Sequence, residues 1–355
     1  MKKVTFMIGN GFDINSGLKS TYLASYKGYT EQESATENIA KFKKIIKNDM
    51  ETWADFEMQM AQYAKEFDKE EYFIECVLDY IVYLENYLQS EENLFLSKME
   101  KDVAIGSAVA KELKDSITNF YEGLAAPKDI RQIETVLGRR TDTITYSIIC
   151  FNYTKVLDEI AKKAFDSNFA GALHELGRII HIHGTLDSDV VLGLDNEEQL
   201  DVPFELTSDG RRVFIKPAFN EEFDDERQMS AEMAIETSDV LCVYGLELGE
   251  SDLRWRNAIK NWLLKDKKHH LVFYRYVYSG KQYRLAQEKL ADEERFKKEI
   301  IHLLFGVDLN ENDAYSFREQ IHIPVGINIF NIKDALEKGG QLAQKKEELK
   351  DRLHK

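Results

Sequence analysis

Four short segments carry side chains able to do chemistry, and each follows an apolar run. The first is Gly9-Asn10-Gly11-Phe12-Asp13-Ile14-Asn15-Ser16-Gly17. Paired glycines let backbone N–H groups approach a phosphate, and a following helix N-terminus favours negative charge. Ile14 breaks the GxGxxG dinucleotide pattern, and glycines equally serve a tight turn. Asp13 suits ribose hydroxyls or a positively charged ring, or else caps a helix. The second segment is Phe151-Asn152-Tyr153-Thr154, whose amide can orient a water or a hydroxyl without changing charge, while Asn152 or Thr154 can also serve as an N-cap. The third, His181-Ile182-His183-Gly184-Thr185, puts two imidazoles at i and i+2, one strand face, unless the turn at Gly184 redirects His183. A strand-end histidine is placed to act as a base near neutral pH, and two same-face imidazoles are half of a metal site. The fourth, Tyr244 to Asp252, is a glycine-flanked turn with Ser251 in an N-cap position, where a ribose or pyrophosphate can lie against Gly245.

The elements that must position these segments alternate. Apolar runs predict strands at Lys3–Ile8, Thr143–Phe151, Arg178–His183, Val190–Leu194, Arg212–Lys216, Asp239–Gly245, His270–Tyr276 and Ile327–Asn331. Helical stretches separate most of them, including a helix start over Ser16–Tyr26, so the chain reads as α/β with parallel strands covered on both faces. In such a sheet ligands bind beyond the carboxyl ends of the strands, where all four segments fall. Between residues 32 and 124 the period is helical, as in Trp53, Phe56, Met60, Tyr63 and Phe67. Trp53 and Glu57 at i and i+4 share a face there and are candidates to wall a pocket, with Asp55 beside them. The last 23 residues read as a charged helix.

Composition narrows the function classes. The 355 residues carry 47 basic and 63 acidic side chains, a net charge of −16. That surplus repels phosphate backbones and anionic lipid and disfavours a general nucleic-acid or membrane-surface binder. Three cysteines, Cys76, Cys150 and Cys242, share no CxxC spacing and sit in apolar segments, as reduced thiols of a cytoplasmic protein do. The basic-apolar start, Met1 to Ile8, stops at glycine, and no apolar run approaches 18 residues, so neither a signal peptide nor a membrane span is expected.

In order, IGNGFDINSGL, WADFE, FNYT, HIHG and YGLELGESD, spread over about residues 4 to 255, resemble the AbiH family of phage abortive-infection proteins. More remotely the order is similar to sirtuins and sirtuin-like defence NADases. The resemblance implies a Rossmann-like, sirtuin-like parallel sheet over residues 1–30 and 127–355, ending in the C-terminal helix, with an inserted helical domain over 31–126. It implies that Gly9, Asn10, Gly11, Phe12 and Asp13 line a dinucleotide, with Gly245 and Ser251 across from them. Asn152 then orients water or ribose, and His183 is the base. Glu247 stands where a serine is expected, and the zinc-ribbon cysteines of sirtuin deacylases are absent, which disfavours deacylation. Hydrolysis of NAD, as substrate, at its nicotinamide–ribose bond remains, with no metal expected. A carboxylate would stabilise the oxocarbenium centre, Asp13 first and Glu57 second. A phage trigger protein and a homo-oligomer fit the same reading. Two alternatives stay open: a metal-dependent hydrolase or nuclease using His181, His183 and Asp187, and a non-catalytic sensor of a nucleotide or phage protein with the helical block as its partner surface.

Overall fold

A computed structural model describes residues 1–353 apart from 140, 166–172, 189, 195, 217, 219–225, 250–251, 276–282, 307–316 and 326–327. Among the described residues six parallel strands form one sheet: β1 (Lys2–Ile8), β2 (Ile144–Cys150), β3 (His174–His181), β4 (Val240–Tyr244), β5 (His270–Phe273) and β6 (Ile321–His322). Their order is β3-β2-β1-β4-β5-β6, the Rossmann-like arrangement in which the chain winds outward from β1 in both directions. Side chains alternate across the sheet. Val4, Phe6 and Ile8 enter the core on one face, and Met7 enters the core on the other with Ile149, Val243 and Phe273. Burial on both faces explains why these strands are near-continuous apolar runs.

Among the described residues 13 α-helices accompany the sheet. The first nine are α1 (Gly11–Ser16), α2 (Tyr22–Glu31), α3 (Glu37–Asn48), α4 (Phe56–Tyr63), α5 (Glu70–Glu100), α6 (Val103–Thr118), α7 (Pro127–Leu137), α8 (Val156–Ala164) and α9 (Ser208–Phe214). After β4 and its neighbours come α10 (Arg227–Glu236), α11 (Leu253–Lys265), α12 (Ala286–Phe305) and α13 (Ile332–Leu353). Local chemistry sets several starts. Thr21, Thr36, Asp55 and Asp102 accept backbone N–H groups as N-caps, and Pro127 occupies the first turn of α7, where no N–H is needed. No described helix is long and apolar enough to cross a membrane.

The helical segment 31–126 divides between two cores. Its first part, with Phe42, Trp53, Phe56, Phe73 and Tyr80, forms a third aromatic cluster. Its second part, with Phe95, Val109, Leu113 and Phe120, packs directly on the sheet. The predicted strands at Val190–Leu194 and Arg212–Lys216 are not strands. Leu192, Leu194, Phe214 and Ile215 are apolar because they close the aromatic cluster, and the two stretches meet only in one bridge, Leu194 to Ile215, beside α9. In the predicted strand Ile327–Asn331, Ile327 lies outside the described residues, and Ile329 and Phe330 are an irregular plug in the sheet core. The expected helix over Ser16–Tyr26 is broken by Gly17, at φ 94°, into α1 and α2. Tyr276 also lies outside the described residues.

Candidate functional site

Register brings the four segments together. Ile8 pairs with Cys150 on one side and Tyr244 on the other, so β1, β2 and β4 end level and their loops emerge side by side. The loops after β1 and β4 touch through glycine. A Cβ on Gly11 would lie 2.4 Å from Gly245 Cα, and Gly245 itself has φ +64°. The N–H groups of Gly9 and Gly11 donate to Tyr244 and Gly245 carbonyls at 2.9 and 3.0 Å. Asn10 is tied to Ser20 through its side-chain amide. Phe12 is fully buried in the sheet core, its ring 5.4 Å from that of Phe330.

Asp13, 2% exposed, is the centre of the arrangement. Its Oδ1 accepts from Asn152 Nδ2 at 3.0 Å and its Oδ2 from Thr154 Oγ1 at 2.8 Å. Burial raises the Asp13 pKa to about 7, and the two hydrogen bonds only partly offset this. The Asn152 Oδ1 is buried without a hydrogen-bond partner among the described residues. These residues border a cavity of about 300 Å³. Asn10, Asp13, Asn152, Thr154, His183 and Glu247 line it from the sheet edge, and Tyr22, Asp55, Glu57, Leu84 and Leu88 from the helices.

The helices also hold the site from outside. Glu57 of α4 is buried and paired with Lys216 at 2.9 Å, and its other oxygen accepts the Gly193 N–H at 3.3 Å. Burial raises the Glu57 pKa and Lys216 opposes the rise. On α5, Glu91 accepts the Lys19 N–H at 2.9 Å, and Glu92 accepts the Lys155 N–H at 2.5 Å. Adjacent glutamates thus grip the chain after α1 and the chain after Thr154. Tyr22 and Tyr153 hydroxyls meet near Glu57, both held protonated by burial.

The two strand-end histidines have different surroundings. His183 lines the cavity, half-buried between the rings of Phe151 and Tyr153. Burial and the nearby Lys216 push its pKa well below 6.5, so it is a neutral imidazole. His181 bonds Asp158 through Nε2 at 2.8 Å and the Asn152 carbonyl through Nδ1 at 3.0 Å. Burial opposes its charge, yet Cys150 and the Asp158 carboxylate raise its pKa. Asp187 pairs with Lys155 at the surface. His181 and Asp187 are therefore engaged away from His183, and no described group of three or more His, Cys, Asp or Glu side chains is arranged to hold a metal ion.

Asp13, Asn152 and His183, expected to act together, do line one cavity. Asn10 lines it too, whereas Phe12 belongs to the core: its apolar ring takes the inward position of α1. Gly9, Gly11 and Gly245 bring the loops together and hold them by hydrogen bonds to carbonyls. Ser251 lies outside the described residues. Trp53 does not wall the cavity, because it sits in a separate turn, Thr52–Ala54, stacked on Tyr63 in the aromatic core, while Glu57 on α4 reaches the site. Lys216 and Glu92 escaped sequence reasoning. The only signal for Lys216 is a lysine closing the apolar run VFIK, and its partner lies 159 residues away.

A search of curated proteins gives no match. The family model for bacteriophage abortive infection AbiH matches residues 5–274, from β1 through the chain just past β5 and including every described cavity residue, and the chain belongs to that family.

Proposed function

We propose that this abortive-infection protein is an effector that hydrolyses NAD at the nicotinamide–ribose bond. The observation that carries the reading is the meeting of Asp13, Asn152 and His183, from the ends of three parallel strands, in one cavity at the point where a Rossmann-like sheet reverses its strand order. In the reaction the C1′–N bond breaks, its electron pair neutralises the pyridinium ring, and nicotinamide leaves. Positive charge builds on the ribose and water attacks C1′. Asp13 is the group whose pKa, about 7, matches that task. Its carboxylate stabilises the cationic ribose and takes the proton of the attacking water. Asn152, oriented by Asp13, holds water or a ribose hydroxyl. His183, whose pKa is pushed well below 6.5, is a weak proton acceptor, so it serves as a hydrogen-bonding wall and Asp13 as the base. The test is incubation of the purified protein with NAD, with and without extract of phage-infected cells, followed by assay of nicotinamide and ADP-ribose. Release is expected from the wild type and lost in Asp13→Asn and Asn152→Ala. Persistent NAD in every condition, or full activity in both variants, overturns the reading.

A further inference from the structure

Among the described residues the cavity is lined by five carboxyl side chains, Asp13, Asp55, Glu57, Glu247 and Asp252, against one ammonium, Lys216, which is bound to Glu57 at 2.9 Å. The N–H groups of Gly9 and Gly11, which a diphosphate would use, already donate to Tyr244 and Gly245 carbonyls. On the wall, Asn152 is 5% exposed, with Nδ2 fixed on Asp13. A carboxylate only accepts, so that bond sets the amide's orientation and leaves Oδ1, which has no partner among the described residues, as the acceptor for a ligand. A negative cleft with low-dielectric walls concentrates cations and repels phosphate. We infer that the moiety this cavity recognises is a cationic N-riboside, a pyridinium ring on ribose, and that any phosphate of the substrate remains outside. The ring's charge faces the carboxylates and a ribose hydroxyl donates to Asn152 Oδ1. The inference rests on the NAD reading and extends it: nicotinamide riboside alone is bound and cleaved. Water oxygen bonds to C1′ as the C1′–N bond breaks, the bonding pair stays with neutral nicotinamide, and one proton is released with ribose.

Calorimetry on the full chain with nicotinamide riboside, its uncharged dihydro form, ADP-ribose and NAD tests this, with nicotinamide release measured in parallel. The riboside cation is expected to bind about 10-fold or more tighter than the dihydro form, and within about 10-fold of NAD. Glu247→Gln and Asp55→Asn, the latter keeping its helix cap, should each shrink the preference for the cation about 2- to 5-fold. Equal affinity for charged and uncharged forms overturns the inference, as does ADP-ribose binding as tightly as NAD. NAD cleaved with the riboside ignored overturns it and leaves NAD hydrolysis standing. The riboside cleaved with NAD untouched upholds it and removes NAD as the substrate. Neither ligand bound overturns both.

Discussion

The side-chain amide of Asn152 donates to Asp13 Oδ1 at 3.0 Å, joining residues 139 positions apart. Neither residue is special in its own segment. The pair exists because β1 and β2 run parallel in register and end together, so the site forms only once the sheet has formed.

Asp13 links that site to stability. Its pKa rises from 3.8 to about 7 on folding, so the native state holds a proton that the unfolded chain has released between those values. The stabilisation is full below about pH 4 and is lost as pH rises through 7. Asp13→Asn removes the buried charge and keeps an acceptor for Asn152. It should be more stable than the wild type at pH 8 by about 1–3 kcal/mol and unfold at higher temperature, with the gain shrinking by pH 5. NAD cleavage should fall about 100-fold or more. Thermal scans at both pH values check the sign, and a pH-independent difference would count against the assignment.

Thr154→Val deletes one donor to the Asp13 carboxylate and little volume. The charged form loses support, so the Asp13 pKa should climb by about 0.5–1 unit. The acidic limb of a pH–rate profile, or a carbon-13 titration of the carboxyl, reads this directly. A limb that stays in place shows that the hydroxyl does not tune the acid.

Glu57 and Lys216 are both nearly buried, so removing one partner strands the other. Lys216→Met alone should cost about 3–5 kcal/mol in urea unfolding, and Glu57→Gln combined with it should recover much of that. Additive losses in the double variant would mean the two are not coupled.

Gly11→Ala tests the contact between the loops. Its Cβ would meet Gly245 Cα at 2.4 Å, backbone against backbone, so one strand end must shift. A loss of about 2 kcal/mol or more is expected from denaturant unfolding, together with loss of NAD cleavage. Unchanged stability would show that the loops can part freely.

Much of this was legible in the sequence, for definite reasons. β1, β2, β4 and β5 are covered on both faces and so spell themselves as apolar runs, and polar residues that follow β1, β2 and β4 line the cavity. The stretches around Leu194 and Ile215 misled because burial under aromatic helices leaves the same apolar imprint as burial in a sheet. β6 is only two residues long and has no period to detect. Phe12 was placed with ligand residues because its neighbours are, yet α1 turns successive side chains to different sides, Phe12 inward and Asp13 to the cavity. Lys216 stayed invisible since a buried ion pair is legible only when both partners are seen in space.

Helix α5 has 31 residues, so it is a rod about 46 Å long, and about two-thirds of the way along it carries Glu91 and Glu92 in consecutive positions. Those two carboxylates hold the backbones that follow Asp13 and Thr154. One rigid element, anchored at its start in the aromatic core through Phe73, Val77 and Tyr80, therefore fixes the backbone on both sides of the Asp13 cluster at once, like a single beam carrying two brackets.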